Sequence, residues 1–261
     1  MSKDTAKKFA QNWQRCRQEE LPGLFYAYDD TESQSERLVT FRLEREALNQ
    51  LYDSVNNTDT LQFIVHLGVT HKSLPERIPE VPTFLLMLQV WEKEGDLLEN
   101  CYPLRWAPNG RFTNAEENDP LSGKNAIPAA SAYLFVMSWM ETPEEDLAMP
   151  FTAVSHVLGK RVKRYRFSNA ESVSIFEDIG RSLSSGKKLS YLDVHLGNGL
   201  AVYDHPFSFR PVIEVKNAVE VDKRGRMKNE EFVARNATGS LNGTGDSFYD
   251  FGQPDPPPYE G

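Results

Sequence analysis

FRLEREALNQLYDSV, residues 41 to 55, leads through a short polar loop into LQFIVHLG, residues 61 to 68. The same plan returns as YRFSNAESVSIFEDI, residues 165 to 179, and SYLDVHLG, residues 190 to 197. Phe41, Arg42 and Leu43 answer Tyr165, Arg166 and Phe167 at an offset of 124, and Leu51, Tyr52 and Asp53 answer Ile175, Phe176 and Glu177 at the same offset. Val65, His66, Leu67 and Gly68 answer Val194, His195, Leu196 and Gly197 at an offset of 129. The echo runs downstream, with Phe84, Leu88, Gln89 and Val90 against Phe209, Ile213, Glu214 and Val215. It also runs upstream, with Ala6, Phe9 and Trp13 against Ala132, Phe135 and Trp139, and Phe25 against Phe151. The offset changes only across polar loops, where insertions cost little. This is the signature of a tandem duplication, residues 1 to 127 and 128 to 261, with a Gly/Pro-rich C-terminal tail from about 236.

Each unit opens with an apolar stripe at helical spacing: Ala6, Phe9, Ala10 and Trp13 in the first, and a more apolar run over 129 to 140 in the second. Leu21-Pro-Gly is expected to stop the first helix. Further helices are expected over 44 to 55 and 169 to 183. Strands are expected near 25 to 28, 38 to 43, 61 to 67, 83 to 91, 97 to 106, 151 to 157, 161 to 167, 189 to 196, 209 to 221 and 231 to 234. The segment 70 to 82, with three prolines, reads as loop, and Asn198-Gly199 as a turn. The expected fold is α+β: a duplicated helix plus β-α-β-β(-β) unit with mainly antiparallel sheets, the two copies related by a pseudo-two-fold axis.

Hydrophobic residues make up 39% of the 261, enough for packed cores, so a disordered chain is excluded. A net charge of -9 argues against a general nucleic-acid or anionic-membrane binder. Residues 1 to 10 carry no apolar run, and no stretch of about 18 apolar residues occurs, so neither a signal peptide nor a membrane span is expected. Cys16 and Cys101 have no metal-type spacing and read as free thiols in a reducing, cytoplasmic setting.

The strongest chemical coincidence is His66 and His195, at the same strand position in both units. Alternation places Ile64 with His66, and Tyr191 and Asp193 with His195, on the faces opposite Val65 and Val194. The neighbouring strands could add Gln89, Arg210 and Glu214 to those faces. His66, His195 and Glu214 are therefore candidate ligands for a divalent transition metal, and Asp193, Arg210 and Gln89 candidate binding residues. Two histidines facing one another across the repeat junction would resemble the paired β-α-β-β-β metalloenzyme modules of the vicinal oxygen chelate type. Against this stands the plain expectation that a duplicated structural histidine stays duplicated. The basic run Lys160 to Arg166 reads as a solvated edge strand rather than a nucleic-acid patch. Pro256-Pro-Pro-Tyr259 has the form of a polyproline segment and reads as a spacer or packed strip. No G-x-S-x-G, H-E-x-x-H or C-x-x-C occurs, and no Gly-rich stretch has the strand, helix and lysine of a phosphate loop.

The Trp-bearing first helix, the F-x-[LF] step before a short helix, the strand ending in a hydrophobic-Gly step and the terminal DFGQPDPP occur together here. In these features the chain resembles a group of small bacterial proteins that end in a Cys-Pro-Pro-x-Cys-type signature. Asp255 and Glu260 stand near where that tail has cysteines. The resemblance implies architecture and no chemistry. Without a catalytic constellation beyond the histidines, the expectation is a non-enzymatic interaction module without a cofactor. A protein partner, another copy of the chain included, is expected. The alternative is the metal-dependent enzyme.

Overall fold

The computed structural model describes residues 1–28, 34–72, 81–92, 97–108, 125–152, 161–184, 191–200, 207–216, 247–249 and 253–255. In chain order the elements begin with helices α1 (Lys3–Arg15) and α2 (Leu21–Leu24) and strands β1 (Tyr26–Tyr28), β2 (Gln34–Arg37) and β3 (Thr40–Leu43). Helix α3 (Arg45–Asp53) leads to β4 (Gln62–Lys72), β5 (Val81–Trp91), β6 (Tyr102–Pro103) and β7 (Arg105–Trp106). Then come α4 (Ala129–Glu141), α5 (Met149–Thr152), β8 (Arg164–Arg166), α6 (Asn169–Ser184) and β9 (Tyr191–His195). The described chain closes with β10 (Asn198–Leu200), β11 (Phe207–Phe209), β12 (Val212–Lys216), β13 (Ser247–Tyr249) and β14 (Gln253–Asp255). Every described strand pair is antiparallel, so the class is α+β.

Two five-stranded sheets carry the fold, ordered β14-β8-β4-β5-β6 and β13-β12-β9-β3-β7. Each draws strands from both sequence units. β3 leaves its own unit to pair with β9, Phe41 opposite Val194, while β8 pairs with β4, Tyr165 opposite Val65. The chain changes sheet at Leu104, between β6 on β5 and β7 on β3. It changes sheet in the opposite sense between β13 on β12 and β14 on β8. Aligning the two sheets by their central histidines puts β3 over β8, β9 over β4 and β12 over β5.

The inner faces share one core. Phe25 and Phe151 stack, with centroids 5.1 Å apart and planes 12° apart. Trp13 meets Phe151 edge-on at 5.3 Å, and Trp139 meets Phe25 edge-on at 5.1 Å. Trp13 Nε1 donates to the Val162 carbonyl at 2.7 Å, and Trp139 Nε1 to the Leu38 carbonyl at 2.9 Å. Arg161 caps the carbonyl of Trp13, as Arg37 caps that of Trp139. Tyr52 of α3 stacks on Phe176 of α6 at 4.4 Å. Residues matched in sequence at nearly constant offset thus meet one another or make mirrored contacts. An aromatic cluster of this size has enough apolar area to dominate the stability of the described chain.

Helix α1 packs on the outer face of the first sheet and α4 on the outer face of the second. Gly68 and Gly197 permit that approach. A Cβ on Gly68 would lie 3.1 Å from the flexible Met87 Cε and 3.2 Å from Phe9 Cβ. On Gly197 it would lie 2.8 Å from the Arg210 carbonyl oxygen and 3.1 Å from Phe135 Cβ. Gly197→Ala is therefore expected to destabilise by about 2 kcal/mol and Gly68→Ala by less, because backbone yields less readily than a methionine tip. Urea midpoints of the two variants compare them directly.

Several local expectations are corrected. Leu21-Pro-Gly does not end helical structure but forms α2, and 151 onward is not a strand at its start, since Met149–Thr152 is helical. Both turns hold proline near their first position, where its fixed φ and missing N–H suit a helix. The strand expected over 97 to 106 is broken by a turn at 97–100 with Leu98 and Asn100 at positive φ, 68° and 53°. Asn198-Gly199 lies in β10, paired with β11, not in a free turn. β4 and β5 extend further than expected, pairing out to Lys72 and Val81. The strand expected over 209 to 221 is divided at Arg210-Pro211, where proline has no N–H to give a ladder. The segments 231 to 234 and Pro256 to Tyr259 lie outside the described residues.

Candidate functional site

Inward alternation of Leu192, Val194 and Leu196 turns Tyr191, Asp193 and His195 to the outer face of the second sheet. Antiparallel register then sets Glu214 opposite Asp193 and Val212 opposite His195 on one side. On the other side it sets Arg42 opposite Asp193 and Thr40 opposite His195. Side chains directly opposite on one face are in reach of one another.

The contacts form a chain. His195 Nδ1 lies 3.0 Å from Thr40 Oγ1, and its Nε2 lies 2.7 Å from Glu214 Oε2. Lys216 Nζ holds the other carboxylate oxygen, Oε1, at 2.5 Å. Arg42 donates to both oxygens of Asp193, Nε to Oδ1 at 2.7 Å and Nη2 to Oδ2 at 2.8 Å. The same guanidinium lies 3.6 Å from the centroid of the Tyr191 ring. Asp193, His195, Glu214 and Thr40 are buried, and the cations Arg42 and Lys216 are half-buried at the margins. Both ring nitrogens of His195 thus have a partner, Nε2 the Glu214 carboxylate and Nδ1 the Thr40 hydroxyl.

Burial alone would raise the Glu214 carboxyl; the hydrogen bond and charge of His195, with Lys216 beside it, overcome this and hold it at about 2. A carboxyl depressed on folding contributes stability that is present above its unfolded value, about 4.3, and lost as pH falls through the folded value. Glu214→Gln removes that titration. The stability difference between wild type and Glu214→Gln is expected to shrink as pH drops from about 4.5 to about 2, read from urea midpoints across that range. A difference independent of pH would contradict the assigned environment.

The structure brings together three of the sequence-predicted site residues, Asp193, His195 and Glu214, with ligand atoms within 4.8 Å of one another. It does not bring His66 to them. His66 lies on the outer face of the other sheet, its Nε2 2.8 Å from Gln89 Oε1. Gln89 Oε1 also accepts from the Leu98 N–H, and its amide donates to the Glu99 carbonyl. The shared core stands between the two histidines, because the inward positions on both strands are Val and Leu. Facing sheets pack about 10 Å apart, so outward-pointing imidazoles cannot share an ion. The paired-module metal centre across the junction is thereby corrected. Arg210 also stands apart, its guanidinium over the Phe135 ring and its N–H on the Gly197 carbonyl.

The remaining trio is a poor cation cage. Both Asp193 oxygens and both Glu214 oxygens already receive N–H donors, three of those donors belong to the two cations Arg42 and Lys216, and a divalent ion would meet their repulsion. Sequence reasoning missed Thr40, Arg42 and Lys216. The first two come from the other unit, and only the strand exchange delivers them. Of the basic run, Arg161 lies over Trp13 and Arg166 over Trp91, so both are spent on packing.

Beside this chain a groove of about 280 Å³ opens between α4 and the β3–β7 edge. Val39, Thr40, Val136, Met137, Met140 and Trp106 are among its lining residues. No helix among the described residues is long and apolar enough to cross a membrane. No family model, no curated protein and no solved structure matches the chain. The described residues define an α+β protein of two antiparallel sheets, the second of which buries a carboxylate–histidine chain on its outer face.

Proposed function

We propose that the chain is a cytoplasmic, non-enzymatic protein-interaction module that engages a partner polypeptide through α4 and β7. The observation that carries this is α4 itself. Its sequence, AASAYLFVMSWME, is apolar almost all round, a pattern that belongs to a helix covered on every side. Yet Leu134 is 65% exposed and Met140 49%, with Trp106 of β7 also exposed at 38%. Exposed large apolar side chains on a helix and on the strand near it are the kind of surface that a partner covers. The self-satisfied charge chain beneath supports a binding role over catalysis.

Descent from a duplicated bacterial ancestor, akin to the small proteins with the Cys-Pro-Pro-x-Cys tail, belongs to the same reading, which the mirrored contacts support. A photo-crosslinking residue at Leu134 tests the surface. A discrete polypeptide adduct, another copy of this chain included, is expected there and not from the same residue at exposed Lys7. Equal labelling at both positions, or none at either, would refute it. A metal-dependent enzyme is the second reading, resting on the closeness of Asp193, His195 and Glu214 and requiring that an ion displace Arg42 and Lys216 from their carboxylates. One equivalent of transition metal in untagged protein, lost in His195→Ala, would establish it in place of the first.

A further inference from the structure

The two sequence units provide an internal control for helix α4. Helix α1 answers it at an offset of 126, Ala6 to Ala132, Phe9 to Phe135 and Trp13 to Trp139, so the inward faces of both helices are built alike. Their outward faces are not. Where α1 carries Asp4, Lys8, Gln11 and Gln14, α4 carries Ala130, Leu134, Met137 and Met140. The scaffold therefore accepts a polar helix at this place, and the apolar surface of α4 is not a demand of the fold. The helix ends differ too. α1 has Ser2 as its cap, Asp4 in its first turn and Arg15 in its last, charges that oppose its dipole. α4 has no side-chain cap, no acidic residue in its first turn, and Glu141 as its last residue. Arg37 donates to the carbonyls at the C-terminal end of α4, so the amide end is the one left without a side-chain partner.

We infer that α4 is the contact of a two-fold dimer, in which it lies antiparallel against α4 of a second copy of the chain. Ala130, Leu134, Met137 and Glu141 are spaced by four, three and four residues and so form one ridge along the helix. Ala130, Leu134 and Glu141 are exposed and Met137 is half-buried. Reversed, this ridge is complementary to itself. Leu134 meets Met137 of the other copy and Ala130 meets Glu141, each pair occurring twice about the axis. Leucine and the adaptable methionine then cover one another at the centre. At both ends the small Ala130 leaves room for the Glu141 carboxylate to approach the uncapped first turn of the other helix, where the dipole favours an anion. In its own helix the same carboxylate stands at the unfavourable end. A parallel pair would set Glu141 beside Glu141, so charge selects the antiparallel one. Glu141 is also the one Asp, Glu, Lys or Arg in α4, so two chains of net charge -9 can approach here with little local repulsion. A 13-residue helix is about 20 Å long, which makes a small contact and a dimer that forms reversibly in the micromolar range.

The pairing rests on the interaction reading above and names its partner. Analytical ultracentrifugation of the full chain tests it. Between about 1 and about 100 µM the weight-average mass is expected to rise from that of one chain towards that of two. Leu134→Lys combined with Met137→Gln, which installs the residues that α1 has there, is expected to stay monomeric at the highest concentration with an unchanged urea midpoint. Cysteine cross-linking reads the orientation. Ala130→Cys chains mixed with Glu141→Cys chains are expected to form a disulfide-linked dimer about tenfold faster than either variant alone, because eleven residues of helix separate like positions by about 16 Å. A chain that is monomeric throughout, a dimer untouched by the double substitution, or Ala130→Cys cross-linking fastest to itself would each overturn the inference. Should the double variant not fold, the cross-linking decides alone, since Ala130 and Glu141 are exposed. A monomeric chain that still gives an adduct at Leu134 with a different polypeptide would keep the interaction reading and overturn only the self-pairing.

Discussion

Trp13→Ala is expected to lower the free energy of unfolding by about 4 kcal/mol, and to do so for the whole chain in one transition. The indole is wholly buried and meets Phe25, Phe84 and Phe151 edge-on. Truncation removes those contacts, opens a cavity the size of an indole, and leaves the Val162 carbonyl without its donor. Val162 and Phe151 belong to the second sequence unit and Phe25 and Phe84 to the first, so the loss cannot be confined to one of them. Trp139→Ala should cost a similar amount through the mirrored contacts with Phe25, Phe151 and Phe209. Urea unfolding followed by far- and near-ultraviolet circular dichroism checks this. Coincident, equally shifted curves are expected, and two separable transitions would show that the units hold separate cores.

Arg42→Leu is expected to cost about 3 kcal/mol, because it strands the Asp193 carboxylate in a site only 1% open to solvent. The remedy is written in the other sheet, where Ile64 occupies the position of Asp193. In the double variant Arg42→Leu with Asp193→Ile, no charge is left to strand, and at least half of the loss should return. Removing one member of a buried pair is far worse than removing both. A double-mutant cycle measures the coupling, and strictly additive losses would mean that the pair is not the tight buried unit its geometry describes.

Much of the architecture was legible because it rests on local periodicity. The stripe Ala6, Phe9, Trp13 forms the buried side of α1, and α3, α4 and α6 fall within two residues of their expected spans. Strand alternation also placed Asp193 and His195 on one face with Glu214 beside them. Partner choice was not legible. Nothing in FRL at 41 to 43 distinguishes pairing with β4, close in sequence, from pairing with β9, far along it, since both offer the same apolar alternation. That ambiguity hid Thr40 and Arg42 from the site and allowed His66 to be placed opposite His195. The breaks at 97–100 and Arg210-Pro211 depend on where the chain must change sheet, which is a tertiary demand.

The exchange of β3 and β8 also orders events during synthesis. Thr40 and His195 are 155 residues apart in the chain, so β3 leaves the ribosome long before the strand it pairs with exists. At 5 to 20 residues per second the wait is roughly 8 to 30 s, far longer than hairpin formation or collapse. For that time β3 lacks the β9 side of its ladder and Trp13 its carbonyl. Such a half-sheet is a ready substrate for edge pairing with a neighbouring chain on the same polysome. The strand order that locks the finished molecule thus makes β3 wait for the synthesis of β9.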